Sequence, residues 1–231
     1  MDDSGKEKQS LGRNYSFYWS QSDVVALWVA YPMFGAVAES NVSRKDAYAV
    51  DPLIKAEKQP DTGGYSGNYS KGHQIPSADR LSSRAMNNTV FYMTNMTPQN
   101  QTFNGGLWAQ LETKVRSWAS GADEFYVVTG CLVKNSTRTT TSNGLTVTVP
   151  THYYKAFLRK LVSNDGTAKW TACAYIYEHF TSQTSFSVDD LISIDELETQ
   201  TGVDFFPNLE GVVGTTEYEK VERTATKFSS K

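Results

Sequence analysis

Cysteine and histidine are scarce in this chain. It has two cysteines, Cys131 and Cys173, among 231 residues, and neither has a partner at the spacing of a metal site. Two interpretations stay open for them, a pair of buried thiols or one disulfide. The chain has three histidines, so chemistry that needs an imidazole has few candidates.

Long apolar runs and a strong net charge are also lacking. The longest apolar stretch, residues 23–38, begins with Asp23 and falls short of the roughly 18 residues that span a bilayer. We interpret it as a buried strand and the connection after it. The net charge of -3 argues against a protein that coats nucleic acid through bulk charge, although a local basic groove or a metal-assisted phosphate site is compatible with it.

Aromatic residues, in contrast, are abundant, with 5 Trp, 13 Tyr and 11 Phe. A chain of this length and composition can bury a sizeable core. Runs rich in aromatic and β-branched residues predict strands at 15–20, 24–31, 89–96, 124–133, 153–162 and 169–179. The Thr/Ser/Asn/Gly segment 135–144 is typical of an extended hairpin or a loop.

The clearest helix signal covers residues 103–120. Four apolar residues recur there at helical spacing: Leu107, Leu111, Val115 and Trp118. Gly121 follows as the predicted residue that ends the helix.

A second, shorter helix is predicted after Ser193, which is a suitable N-cap. Glu196 stands at the capping-box offset, and Gly202 is expected to end the helix. There is no internal repeat and no break in composition. We therefore expect one α+β domain over residues 15–228, preceded by a mobile polar tail, residues 1–14.

A long irregular stretch lies between residues 41 and 84. Gly, Ser, Asn, Asp and Pro dominate it between residues 59 and 77, and such a stretch inside a domain is often functional. It contains "NYSKGHQIPSADR", in which His73 follows a Lys-Gly pair. Taken alone, His73 is either a catalytic base or an ordinary loop histidine.

The long helix carries the residues that could accompany His73. Asn104 opens the predicted helix. Glu112 lies about 80° around the helix axis from Asn104 and about 12 Å further along it. The two side chains can therefore share one ion only if a water molecule bridges one of them to it. An amide oxygen and a carboxylate suit Mg²⁺, which prefers oxygen ligands and keeps several waters. A histidine near that ion could deprotonate an attacking water.

Each of these residues also has a structural interpretation. Asn104 could be a helix N-cap, for which Asn is favoured. Glu112 and Arg116 could form a solvated ion pair four residues apart. Asp79 and Arg80 could be a pair that holds the loop in place. Spacing alone does not decide between these roles and catalysis.

Four segments resemble the DNA/RNA non-specific endonuclease family. They are "SKGHQIPSADR", "FYMTNMTPQNQTFNGGLWAQLE", "VVTG" and "TGVDFFPNL". They follow the order of the family from about residue 15 to residue 209, and the Asn-Met-Thr-Pro-Gln run with Asn, Trp and Glu behind it is highly specific.

The resemblance implies a ββα-metal fold, also called the His-Me finger, with helices packed on a central antiparallel sheet. It implies that His73 is the general base and that Asn104 is the ligand of Mg²⁺, for which Mn²⁺ could substitute. Glu112 would hold a water of the metal. Asn95 would orient the histidine or the substrate, and Arg116 would support the phosphate or Glu112.

Phosphate contacts are expected from Lys71, Arg44 and Arg80. The chain departs from the family motif Asp-Arg-Gly-His, because Ser70 and Lys71 stand where the family has Asp and Arg. Lys71 keeps a positive charge but lacks the guanidinium fork that grips two phosphate oxygens. We expect an active enzyme with weaker metal affinity or an altered metal preference.

The resemblance implies a metal-dependent hydrolase that cuts DNA and RNA and leaves 5′-phosphates. The alternatives are a weakened member that mainly binds nucleic acid, a DNA-only enzyme, and a non-enzymatic interaction domain. A non-specific nuclease is hazardous in its own cytoplasm, which favours a secreted, periplasmic or cell-envelope protein whose leader is absent from this sequence. The oligomeric state stays open, with a homodimer as one option.

Overall fold

A five-stranded antiparallel sheet forms the centre of the molecule in a computed structural model that describes residues 14–229. Its strands are β1 (Ser16–Ser20), β2 (Val25–Pro32), β5 (Glu124–Leu132), β8 (His152–Val162) and β9 (Ala168–Glu178), and they pair in that order. All four pairings are antiparallel.

Two separate hairpins complete the β structure. One pairs β3 (Tyr69–His73) with β4 (Met96–Asn100), and the other pairs β6 (Thr139–Ser142) with β7 (Leu145–Thr148). The second hairpin overlaps the segment 135–144, which was expected to be an extended hairpin or a loop. The first joins the irregular stretch to the long helix.

The long helix, α2, follows β4 directly. It consists of α-helical Gln101–Phe103, a π-type turn Asn104–Trp108 and α-helical Ala109–Ala119. The other helices are α1 (Arg84–Thr89), α3 (Ile194–Thr201), α4 (Glu210–Val213) and α5 (Thr215–Arg223). Short 3-10 turns occupy Gly35–Ala38, Ala56–Lys58, Ser77–Asp79, Met93–Asn95 and Pro207–Leu209.

The central sheet is covered on both faces. Side chains alternate along a strand, so Tyr153 and Phe157 of β8 pack into the core beneath α2, while Tyr154 and Leu158 pack against the C-terminal helices. This explains why β8 is almost continuously buried instead of alternating between buried and exposed. The site discussed below lies on the face covered by α2.

Several local predictions are confirmed. Five of the six predicted strands are present, and Ser193 and Glu196 form both bonds of a capping box at the start of α3. Gly202 ends that helix with a φ of 70°, a conformation that is readily available only to glycine.

One local prediction is wrong. Residues 89–96 do not form a strand, because α1 ends at Thr89, Tyr92 makes only an isolated bridge with Ala49, and a continuous strand begins only at Met96. Val90 and Phe91 are buried without ladder partners, and a short apolar run does not reveal by itself how it is buried. The position predicted for Gly121 is confirmed, because α2 ends at Ala119 with Ser120 as its C-cap and Gly121 follows at C′, although its φ is not left-handed.

The sequence also led to expectations for the N-terminal tail and for the two cysteines. Residues 1–13 of the predicted tail lie outside the described residues. Asn14, at its end, donates hydrogen bonds from Nδ2 to Met86 O at 3.0 Å and to Thr89 Oγ1 at 2.7 Å. Cys131 and Cys173 are free, buried thiols, so they do not form the disulfide that was the alternative. Within the described residues, no helix is both long and apolar enough to cross a membrane.

Candidate active site

His73 is the last residue of β3 and lies in a pocket of aromatic rings. Its ring meets Phe91 edge to face with 5.0 Å between centroids, and Tyr48 lies 6.2 Å away. The guanidinium of Arg44 covers the same Phe91 ring at 5.2 Å. The His73 Nε2 atom is buried and has no hydrogen-bond partner among the described residues. A polar atom in that state is available to a ligand or a water.

The His73 environment keeps the imidazole neutral. Burial lowers its pKa from the usual 6.5 to about 3, and the nearby charge of Arg44 adds to this effect, while Asp46 and a backbone hydrogen bond with Lys71 oppose it. A neutral imidazole has one nitrogen without a proton. His73 is therefore in the form that can accept a proton.

The backbone around His73 is tightly specified. A Cβ atom at Gly72 would lie 2.3 Å from the side chain of buried Gln99 on the paired strand, so any side chain there would force Gln99 to shift. Lys71 and His73 lie on one face of β3, whereas Ser70 lies on the other. Ser70 therefore lies on the face away from the imidazole.

Asn95 holds the segment that follows His73. Its Oδ1 accepts from Ile75 N at 3.0 Å, and its Nδ2 donates to Ile75 O at 3.1 Å and to Val90 O at 2.7 Å. Its own carbonyl accepts from Gln74 N at 2.9 Å. Both amide hydrogens of this buried side chain are in use. Asn95 thus positions the backbone next to His73.

Asn104 lies in the first turns of α2 but is not the N-cap. Asn100 takes that role, because its Oδ1 accepts from Thr102 N at 3.0 Å and from Phe103 N at 3.2 Å. The half-buried Asn104 side chain makes no hydrogen bond to any residue in the described range 14–229. Its amide oxygen is therefore available for another ligand.

Half-buried Glu112 and buried Lys155 form a charged pair of residues in the site. Burial raises the pKa of the Glu112 carboxyl, Asp79 adds to the rise, and the positive charges of Lys155, Arg116 and Arg44 oppose it. Lys155 is 1% exposed and donates from Nζ to Thr129 Oγ1 at 2.7 Å. Lys155 was missed by the sequence reasoning, although a lysine inside the apolar run "YYKAFL" is an unusual feature that could have indicated it.

Arg116 does not form the predicted pair with Glu112. Its Nη1 instead donates to Asp79 Oδ1 at 3.1 Å, and its Nη2 donates to Thr113 Oγ1 at 3.0 Å. The other Asp79 oxygen accepts from Tyr31 O–H at 2.9 Å. Arg116 remains one third exposed, so it is held beside the site with part of its guanidinium accessible.

The remaining predicted phosphate contacts divide into two groups. Arg44 is exposed and pairs with Asp46 at 2.8 Å, and Lys71 Nζ lies 3.7 Å above the Tyr48 ring and donates to Thr62 O. Both lie close enough to His73 to lower its pKa. Arg80, in contrast, is fully buried and bonds to Asn14, Asp79 O and Pro32 O. The structure does not bring Arg80 to the site, because no phosphate can reach it there.

His179, to which the sequence assigned no role, anchors the start of α2. Its Nε2 accepts from Asn100 N at 2.6 Å, and its Nδ1 lies 2.8 Å from Pro150 O. Burial lowers its pKa from the usual 6.5 to about 4. The neutral ring accepts at Nε2 and donates at Nδ1, whereas the doubly protonated ring would lose the bond to Asn100.

We expect the stability of the fold to fall as the pH falls from about 6.5 to about 4. In that window His179 is protonated in the unfolded chain but stays neutral in the folded chain. The folded state therefore has its full stability above the unfolded pKa of 6.5 and loses stability as the pH falls toward the folded pKa of about 4. The loss amounts to about 3 kcal/mol from this residue. Urea unfolding of wild type and His179→Gln at pH 7.5, 5.5 and 4.5 measures it.

The His179→Gln variant should be less stable at pH 7.5 and should depend less on pH than wild type. His152→Gln removes a different histidine and serves as the matched control, so its pH dependence should match wild type. Equal slopes for wild type and His179→Gln would show that His179 does not carry the effect.

The elements just described define a class of protein. A hairpin that ends in His73 leads directly into a helix that carries Asn104 and Glu112, beside a central antiparallel sheet. This is the ββα-metal fold of a nuclease. The family model described as DNA/RNA non-specific endonuclease matches residues 2–211, and the chain belongs to that family.

Curated relatives agree with this assignment. A nuclease of Nostoc sp. is 31% identical over 214 residues, which cover 90% of this chain and 76% of the relative. The nuclease of Serratia marcescens is 26% identical, with 86% of this chain and 75% of the relative covered. The mitochondrial nuclease EXOG of Danio rerio is 28% identical, with 91% of this chain but 64% of the relative covered.

A solved structure shares the fold. The crystal structure of an EndoG/EndoGI complex contains a chain that superimposes with a TM-score of 0.69 at 22% identity, over 83% of this chain and 82% of the other. The protein is thus a hydrolase of the endonuclease type, and nucleic acid is the class of substrate consistent with its family.

Proposed function

We propose that this protein hydrolyses phosphodiester bonds of DNA and RNA, with His73 as the general base and one Mg²⁺ held by Asn104. The observation that carries the proposal is the neutral, half-buried His73, whose Nε2 lacks a partner among the described residues and which lies beside the cationic side chains of Arg44 and Lys71. A base at a phosphate site needs both an available lone pair and positive charge nearby.

The side chains of the site fit a hard divalent cation. The Asn104 amide oxygen has no partner among the described residues, and the Glu112 carboxylate is half-buried on the same helix. Mg²⁺ prefers such oxygen donors, and Mn²⁺ can replace it. Bound there, the ion would neutralise negative charge that develops on the phosphate in the transition state.

The chain's own residues would carry out the proton transfer and the positioning. His73 takes a proton from the attacking water, whose oxygen forms a bond to phosphorus. The bond from phosphorus to the 3′ oxygen breaks, and that oxygen leaves with a proton from solvent, so the product carries a 5′-phosphate. Arg44, Lys71 and Arg116 orient the phosphate, and Asn95 orients the backbone beside His73.

These contacts account for cleavage of both nucleic acids. Phosphate contacts position a polymer but carry no sequence information. We further propose that residues 15–228 form one nuclease domain. Because such an enzyme endangers the nucleic acids of its own cytoplasm, we also propose that it acts in the periplasm, at the cell envelope or after secretion.

We expect the protein to nick supercoiled plasmid and degrade RNA with Mg²⁺ or Mn²⁺ present, and to do neither in EDTA. Gel electrophoresis over time measures both reactions, and end-labelling identifies the 5′ group. Cleavage of DNA alone would support the substrate-restricted alternative. Binding without cleavage of either polymer would reject the catalytic proposal in favour of a weakened, binding member.

A further inference from the structure

Three carboxylates meet among the C-terminal helices, on the sheet face opposite α2. Glu198 belongs to α3, Asp204 to the segment after it, and Glu222 to α5. One carboxylate oxygen of each lies within 4.8 Å of the others. Three like charges at this distance repel one another strongly unless a positive charge lies between them.

Glu222 supplies a second and independent observation. It is 9% exposed, and its Oε1 is buried without a hydrogen-bond partner among the described residues. The nearby cations of α5 are engaged elsewhere, since Lys220 pairs with Glu217 and Arg223 pairs with Glu219. A buried carboxylate oxygen that no described residue satisfies indicates that something else completes the site.

We propose that Glu198, Asp204 and Glu222 bind a structural Ca²⁺ ion. Oxygen donors select hard cations, and three carboxylates are more than Mg²⁺ usually takes from a protein. Two ligands on opposite sides of Ca²⁺, at roughly 2.4 Å each, lie about 4.8 Å apart, so the observed spacing can surround one such ion. This site is independent of the function proposed above.

The ion would join α3 to α5 through the segment between them. Glu198 Oε1 also accepts from Phe205 N at 2.7 Å, and Phe205 is buried against the central sheet. The next residue, Phe206, has a φ of 56°, which is unusual for a bulky side chain. A cation at this point would therefore hold a turn whose backbone is strained.

We expect Ca²⁺ to raise the melting temperature of chelator-treated wild-type protein by about 5 to 10 °C at a concentration a hundredfold above Kd. Calorimetric titration should show one binding site, and Tb³⁺ should give luminescence sensitised by Tyr218, whose hydroxyl lies 3.3 Å from Asp204 Oδ1. Glu222→Gln should abolish all three signals.

Two control variants test whether the Ca²⁺ response belongs to this cluster. Glu217→Gln removes the same charge from the same helix and should keep the wild-type response to Ca²⁺. Asn104→Ala changes the other candidate metal site and should also keep it. If Glu222→Gln does not fold, Asp204→Asn, at an exposed position, replaces it.

Three results would overturn the proposal. The first is no response of wild type to millimolar Ca²⁺. The second is an unchanged response in Glu222→Gln and Asp204→Asn. The third is stabilisation of Glu222→Gln over wild type without any cation effect, which would identify a shared proton as the group that relieves the repulsion.

Discussion

Replacing His73 with alanine should lower the rate of plasmid cleavage by about 10² to 10⁴ at saturating Mg²⁺. The side chain is the candidate base because burial and Arg44 keep it neutral and because its Nε2 lies unpaired among the described residues of the site. Removal of the imidazole leaves the proposed phosphate contacts of Arg44 and Lys71 in place. The loss should therefore appear in kcat, with substrate affinity changed much less.

Two controls make this result specific to proton transfer. Because His73 packs on Phe91, the variant must be shown to fold, and its melting temperature and circular dichroism supply that check. Added imidazole should partly restore cleavage by His73→Ala, since a small base can enter the space that the side chain leaves. His152→Ala should cut at the wild-type rate. A His73→Ala rate within a few-fold of wild type would falsify the assignment.

Replacing Asn104 with alanine should raise the Mg²⁺ concentration needed for half-maximal cleavage by at least about 100-fold. Groups that merely support metal ligands cost 10-fold to 100-fold in affinity when removed, and a direct ligand should cost no less. The Asn104 amide makes no bond to any described residue, so its truncation breaks no contact that the fold requires. Rates over a Mg²⁺ series, together with calorimetric binding of Mg²⁺, measure the change.

Asn100→Ala is the matched control for Asn104. Asn100 caps the same helix, so its loss should cost about 1 kcal/mol of stability with little effect on the Mg²⁺ requirement. Asn104→Ala should show the reverse, an altered Mg²⁺ requirement with nearly wild-type stability in EDTA. If both variants lose stability equally and keep the wild-type Mg²⁺ requirement, Asn104 is a structural residue of the helix.

Local sequence signals were reliable where local interactions decide the structure. The capping box of Ser193 and Glu196 and the left-handed Gly202 were predicted at their observed positions, because all their bonds are made within one helix. The strands of the central sheet were predicted for a similar reason. Their aromatic and β-branched composition reflects burial, which both faces of this sheet share.

Predictions about partners between distant segments were less reliable. The sequence predicted that Arg116 could pair with Glu112, one helical turn away. In the structure Arg116 instead pairs with Asp79, which lies 37 residues earlier in the chain. Arg80 was expected at phosphate and is instead buried with Asn14 and Pro32. The partner of a charged side chain depends on which distant segment packs beside it in the folded chain, and the local sequence does not contain that information.

The helix geometry shows the same limit. A regular helix would separate Asn104 and Glu112 by about 80°, but Gly106 has the non-helical angles φ -102° and ψ -110°. The helix is therefore kinked between the two residues, and the angle of a regular helix does not describe their separation. The glycines at 105 and 106 were visible in the sequence, although their effect on the helix was not.

The sequence by itself determined the class of fold, the family and the residue types at the site, because these depend on local composition and on motif residues that stand in a fixed order. Only the tertiary structure decided how those residues act together. It buried His73 against Phe91, placed Lys155 beneath the helix near Glu112 and left Asn104 without a partner among the described residues. The physical reason is that burial, which sets both pKa and available hydrogen bonds, arises from segments that meet only in the folded chain.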